Sequence, residues 1–183
     1  MGFDKASMLV DGVPCAMRIA AVLQTATVTA IEVGPGISEL RAVQDHPSGR
    51  GPLTALSIGA DALRTAGHQG PALVVACDLP LLTLGVLTTL SEWPGIGSVV
   101  PVVGGWPQPL CACWSAAHLA KTGELVAAGA RSMRALLEEP GVELVDEAHW
   151  PGPLDPRALA DLDNPADLDG LGLTWSLPGS ETS

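Results

Sequence analysis

An apolar run, ALVVAC (72–77), leads straight into Asp78, Leu79 and Pro80. A carboxylate at such a strand end can hold Mg2+ against phosphate oxygens, because hard cations take oxygen ligands. The same residue could equally be a helix cap or turn aspartate. A second candidate is DHPSGRGPL (45–53), a turn-rich loop that opens a helix. Backbone N–H groups at a helix start suit anions or polar base edges, and Arg50 could add charge. It could also be a plain strand–helix loop, since it matches neither the P-loop pattern nor GxGxxG. In the third stretch, LADLDNPADL, Asp161 and Asp163 are two apart and face the same way in extended chain. One of them could complete a metal site with Asp78, or the pair belongs to a capping segment. The fourth is Arg131-Ser132-Met133-Arg134, where two arginines can hold a phosphate or pair with Glu138 and Glu139 one turn on.

Other chemistry is weaker. Cys111 and Cys113 would share one face of a strand, but no second pair at zinc spacing accompanies them, so buried thiols are expected. His46, His68, His118 and His149 do not cluster in sequence.

The elements that must position these residues alternate. Apolar runs at 28–33, 72–77, 97–103 and 109–114 read as strands, the third being rich in β-branched residues. Helical patterns cover 15–25 after Pro14, 53–66 up to Gly67, 83–92 behind Thr83, 115–129 and 132–139 each behind a serine, and a short stretch from Asn164-Pro165. Gly123 weakens the continuity of the 115–129 pattern. Strand–helix alternation implies an α/β fold with a mostly parallel sheet covered on both faces. In such a sheet, ligands bind outside the carboxyl ends of the strands, which singles out Asp78.

Composition bounds the partners. The 183 residues carry a net charge of −11 and are 47% hydrophobic, with five Trp, one Phe and no Tyr. From Glu138 onward there are eleven acidic residues and one base, Arg157. This argues against nucleic acid or an anionic membrane as a general partner. No apolar run reaches the roughly 18–20 residues of a membrane span, and a cytoplasmic protein is expected. One domain, 1–173, with a loose tail over 174–183, fits the length.

In order, MGFDKASMLVDGVP, DHPSGRGPLTAL, VVACDLPLLT, QPLCACW, GARSMRALL and LADLDNPADL run from residue 1 to about 170. Together they resemble the MobA-like nucleotidyltransferases, the molybdenum cofactor guanylyltransferases. The resemblance implies a three-layer Rossmann-like fold with a mixed, mostly parallel sheet. It implies Mg2+-dependent transfer of GMP from GTP to the phosphate of molybdopterin (the molybdenum cofactor), with release of pyrophosphate. By the same resemblance Lys5 contacts the nucleotide phosphates, Asp45 helps to hold the nucleotide, and Gly51, Pro52 and Leu53 pack by the base. Asp78 and Asp163 belong to the metal, while Gln108, Pro109, Arg131, Ser132 and Arg134 fall where the pterin is received. The resemblance also suggests other cofactor-synthesis proteins or molybdoenzyme chaperones as partners.

Two departures from the family pattern stand out. Gly34 occupies a position where many relatives carry an asparagine that contacts the nucleotide. The sequence as written also begins just after the family's first strand and glycine-rich loop. That strand is central in the family. A gap between the strand at 28–33 and the strand at 72–77, or its closure by re-pairing, is therefore expected. Residues 1–183 alone are expected to be poorly soluble or inactive, with Met1 an internal methionine. Three alternatives stand beside the guanylyltransferase: a relative using CTP or another acceptor, a non-catalytic remnant retained as a binding partner, and a dehydrogenase-like Rossmann domain. The absence of GxGxxG counts against the last.

Overall fold

The computed structural model describes residues 5–44, 49–152, 154–161 and 173–176. A 3-10 turn, Lys5–Ser7, leads into the short strands β1 (Leu9–Val10) and β2 (Val13–Pro14). Asp11 and Gly12 both adopt positive φ, 50° and 78°, the backbone that a tight two-residue hairpin turn requires. Then follow α1 (Cys15–Ala26), β3 (Ile31–Val33), β4 (Arg41–Val43), α2 (Pro52–Thr65), β5 (Ala72–Val75) and α3 (Leu84–Ser91). The second half comprises β6 (Ser98–Val103), β7 (Trp106–Pro107), β8 (Cys111–Trp114), α4 (Ala116–Ala127), α5 (Arg134–Leu137) and β9 (Val142–Asp146). A 3-10 turn at Pro156–Leu159 and β10 (Trp175–Ser176) complete the described elements.

The larger sheet has the order β5-β8-β6-β7, with β9 paired to β6. β8 is antiparallel to β5 and to β6, and β9 is parallel to β6. Thus β5, β6 and β9 run one way and β8 the other, giving a mixed sheet. β8 is buried on both faces. Strand periodicity sends Cys111 and Cys113 into one apolar cluster with Ile19, Leu87 and Leu90, on the α1 and α3 side. It sends Ala112 and Trp114 into a second cluster with Leu53, Leu119 and Leu136, on the α2, α4 and α5 side. This is a three-layer α/β/α arrangement.

Local signals in the sequence account for the helix starts. The Thr83 hydroxyl accepts from the Val86 amide at 3.4 Å, and the Ser115 hydroxyl accepts from the His118 amide at 3.3 Å. α4 runs unbroken through Gly123, which faces Ser57 of α2; packing between the two helices overrides the weak helix propensity of glycine. The expected helix at 132–139 shortens to Arg134–Leu137. The helix expected at Asn164-Pro165 lies outside the described residues. The tail expected to be loose begins instead with a paired strand, because β10 adds to β1 and Thr174 donates its amide and hydroxyl to Asp11 Oδ1.

β3 and β4 form a separate parallel pair. Among the described residues β3 pairs only with β4, and β5 only with β8. A cavity of about 420 Å3 lies between β3 and β5, lined by Ala16, Ile19 and Ala20 of α1 and by Ala55, Leu56 and Gly59 of α2. Among the described residues no strand pairs across the gap between these two. No helix among the described residues is long and apolar enough to cross a membrane.

Candidate functional site

Lys5 and Asp78 are brought together from 73 residues apart, with Lys5 Nζ donating to Asp78 Oδ2 at 3.3 Å. The side chains keep 26% and 18% of their exposure, so the pair sits at a partly covered edge. Each is positioned by apolar anchors. Lys5 opens a turn whose Ala6 and Met8 are buried, and the Cys15 amide donates to the Met8 carbonyl at 2.9 Å. Asp78 lies just beyond the carboxyl end of β5, and Leu79 and Leu82 plug the following turn into the core. The Ala76 amide donates to the Leu110 carbonyl at 2.6 Å, which fixes the approach to Asp78 against the Gln108–Leu110 segment.

A cleft of about 320 Å3 adjoins Asp78. Of the residues singled out in the sequence, Pro52, Asp78, Gln108, Pro109 and Ser132 line it, together with Met133 and Asp161. Five segments far apart in the chain therefore meet at one place. Gln108 Nε2 donates to the Trp106 carbonyl at 3.2 Å.

Other expected site residues stand off the cleft. Leu53 is fully buried, and its amide donates to the Arg131 carbonyl at 3.1 Å, so that amide of the helix start is engaged inside the protein rather than offered to an anion. Arg131 Nη1 donates to the Val126 and Ala130 carbonyls at 3.0 and 2.8 Å, closing the end of α4. Arg134 pairs with Glu138 at 2.9 Å on an exposed face. Of the two uses considered for Arg134, the structure displays the pairing one turn on. Asp45 and Asp163 lie outside the described residues.

The donor set near Asp78 is of the hard-oxygen kind. Asp78 and Asp161 line one cleft, and Mg2+ is commonly held by one or two carboxylates plus substrate phosphates. Among the described residues no group of three or more His, Cys, Asp or Glu converges to hold a metal unaided. The residues present fit an ion that completes its shell with phosphate and water.

Glu32 was not singled out in the sequence. Its carboxylate, at the middle of β3, accepts from the amides of Gly36, Ile37 and Ser38 at 2.7, 2.9 and 2.8 Å and from the Ser38 hydroxyl at 2.6 Å. It gathers the 34–40 loop beside the open cavity. Burial alone would raise this carboxyl, but the Ser38 hydroxyl and the three amides outweigh it and hold it below its ordinary 4.5. The readable signal was an acid just ahead of Gly-Pro-Gly-Ile-Ser, a stretch rich in turn amides.

Known proteins resemble this arrangement. The family model described as the MobA-like NTP transferase domain matches residues 1–148. A relative from Chloroflexus aggregans, named a probable molybdenum cofactor guanylyltransferase, is 32% identical over 142 residues, covering 70% of this chain and 62% of the relative. The match thus spans less than two thirds of that relative's length. The structure of molybdopterin-guanine dinucleotide biosynthesis protein A from Archaeoglobus fulgidus superposes with a TM-score of 0.68 at 20% identity, over 92% of this chain and 89% of that one. A protein of Aquifex aeolicus gives 0.67 at 15% identity, over 82% and 79%. At these identities the two structures speak for the fold.

Proposed function

The chain belongs to the MobA-like NTP transferase family, and from that premise we propose that its site transfers GMP from GTP to the terminal phosphate of molybdopterin. A phosphate oxygen of the acceptor attacks the α-phosphorus, the bond to the β-phosphate oxygen breaks, and pyrophosphate leaves. The observation that carries this reading is the Lys5–Asp78 contact at the rim of the cleft.

The chemistry asks little of the protein beyond alignment and charge compensation. Lys5 offsets negative charge that develops toward the leaving pyrophosphate. Asp78, with Asp161 lining the same cleft, would hold Mg2+, and Asp163 of the Asp161-Leu162-Asp163 stretch is the further ligand that the family resemblance implies. When bound, that ion neutralises phosphate oxygens and orients the triphosphate. Pro52 lines both the cleft and the larger cavity and forms the wall beside the base, with Leu53 buried behind it. Gln108, Pro109 and Ser132 also line the cleft, where the acceptor is received. Local placement of one lysine lets a chain of net charge −11 bind polyanions.

Pyrophosphate release with molybdopterin and either GTP or CTP tests the reading. Release with GTP and not CTP is expected; release with CTP alone moves the assignment to a cytidylyltransferase. A second reading, a protein that binds nucleotide without turning it over, is favoured by the open cavity between β3 and β5 that reaches Asp78. Mg2+-dependent nucleotide binding with no pyrophosphate would select it.

A further inference from the structure

Arg18 lies on α1, and its guanidinium bridges the two chain segments that carry the catalytic pair. Nη1 donates to the Val10 carbonyl at 3.4 Å and Nη2 to the Pro80 carbonyl at 3.5 Å. Val10 ends the strand that follows the Lys5 turn, and Pro80 is two residues past Asp78. Nη1 also stands 3.7 Å from Asp11 Oδ2 in the hairpin turn. Arg18 Nε is buried with no hydrogen-bond partner among the described residues. A buried donor left unmatched is costly, so an apolar side chain of similar length would pack there at less expense. What the guanidinium contributes is its rigid fork, which spans two carbonyls at fixed separation.

We propose that Arg18 is a positioning residue: by holding Val10 and Pro80 from one side chain, it sets the approach of Lys5 to Asp78. The inference rests on the function proposed above only in giving that pair a catalytic use. The geometry itself can be read without turnover. The chain has two lysines, Lys5 and Lys121, and Lys121 pairs with Glu124 on the far helix α4 at 2.7 Å. Lys121 is therefore an internal reference for the reactivity of Lys5.

The experiment is brief acylation of the native chain with a water-soluble acetyl ester, followed by peptide mass spectrometry of the Lys5 to Lys121 ratio. Asp78→Asn sets the scale for a broken pair. Arg18→Gln is expected to raise the ratio severalfold toward the Asp78→Asn value, and Arg18→Lys to fall between. A wild-type ratio in Arg18→Gln overturns the proposal. So does a wild-type ratio in Asp78→Asn, because the pair would then not be what restrains Lys5. If Arg18→Gln fails to fold, Arg18→Lys decides: a raised ratio in the folded variant supports the bridge, and a wild-type ratio overturns it. In the GTP assay Arg18→Gln should lower kcat about tenfold with a smaller change in KM, as misplacement of a reacting group does. An inactive wild-type chain would count against the proposed transferase and leave the acylation result to stand by itself.

Discussion

Gly51 lies so close to Arg131 that a Cβ at Gly51 would stand 2.6 Å from the Arg131 carbonyl oxygen. The same oxygen accepts the Leu53 amide at 3.1 Å. Two loops that flank the cleft, one opening α2 and one opening α5, are joined at this point. Gly51 also holds a φ of 96°, which side chains resist. Gly51→Ala should therefore cost about 2–3 kcal/mol, the φ penalty plus displacement of the Arg131 backbone. Gly49 has a φ of 78° but no described residue within 4 Å of its Cβ position, so Gly49→Ala should cost about 1 kcal/mol from the φ alone. Thermal unfolding of the two variants side by side checks the difference; equal losses would show that the approach to Arg131 is not what matters.

Asp78→Ala should abolish Mg2+-dependent pyrophosphate release while leaving the far-ultraviolet circular dichroism intact. The carboxylate sits at the rim of the cleft, and the buried Leu79 and Leu82 hold its turn. Lys5→Met should lower kcat by about a hundredfold, the range seen when one charge-stabilising group is removed. Retained turnover in either variant removes that residue from the mechanism.

The Glu32 carboxyl is held below its ordinary 4.5 in the folded chain. Its bonds to the 34–40 loop thus contribute stability that is fully present above pH 4.5 and is lost as pH falls through the lower folded value. Glu32→Gln keeps the shape but not the charge. The stability gap between wild type and this variant, measured by urea unfolding, should be widest near neutrality and narrow in acid. The effect is small, because the carboxylate is only half-buried and solvent screens it. A gap that widens in acid would contradict the sign.

Burial, followed by the negative charge of nearby Cys77 and Asp78, pushes the Cys15 thiol up to about 12. Burial alone does the same for Cys111 and raises Cys113. Cys77 is exposed. One thiol per native chain should therefore react with an aromatic disulfide reagent at neutral pH, against four after denaturation, since thiolate is the reactive form. Peptide mapping should place that label on Cys77.

The helices were legible because their signals are local. Thr83 and Ser115 sit at the starts and cap as their residue types suggest. The large sheet was legible where both faces are buried: the CACW run of β8 and the valines of β6 are apolar throughout. β9 was not legible, because it lies in the acidic segment with Glu143, Leu144 and Asp146 exposed and only Val145 deeply buried. Pairing with β6, not its own pattern, makes it a strand. The chemistry of the site divides similarly. Asp78 could be read from its place after an apolar strand. The contact with Lys5 joins residues 73 apart and was not read from the sequence, where the family resemblance gave the two residues separate roles. Glu32 and Arg18 escaped because most of what they hold is backbone, and backbone leaves no mark on residue type.

A hydrogen-bonded ladder makes strands lose their order together, and among the described residues the ladder stops between β3 and β5. β3 reaches its neighbours through α2, where a Cβ at Gly59 would lie 2.9 Å from Val33 Cγ2. The molecule should therefore melt in two cooperative units. In native-state hydrogen exchange, the amides of Ile31–Val33 and Arg41–Val43 should open at low denaturant, while those of Val99, Val100 and Ala112 wait for global unfolding. The loop that Glu32 gathers would open with the first unit, making that side of the site the part of the protein most easily lost.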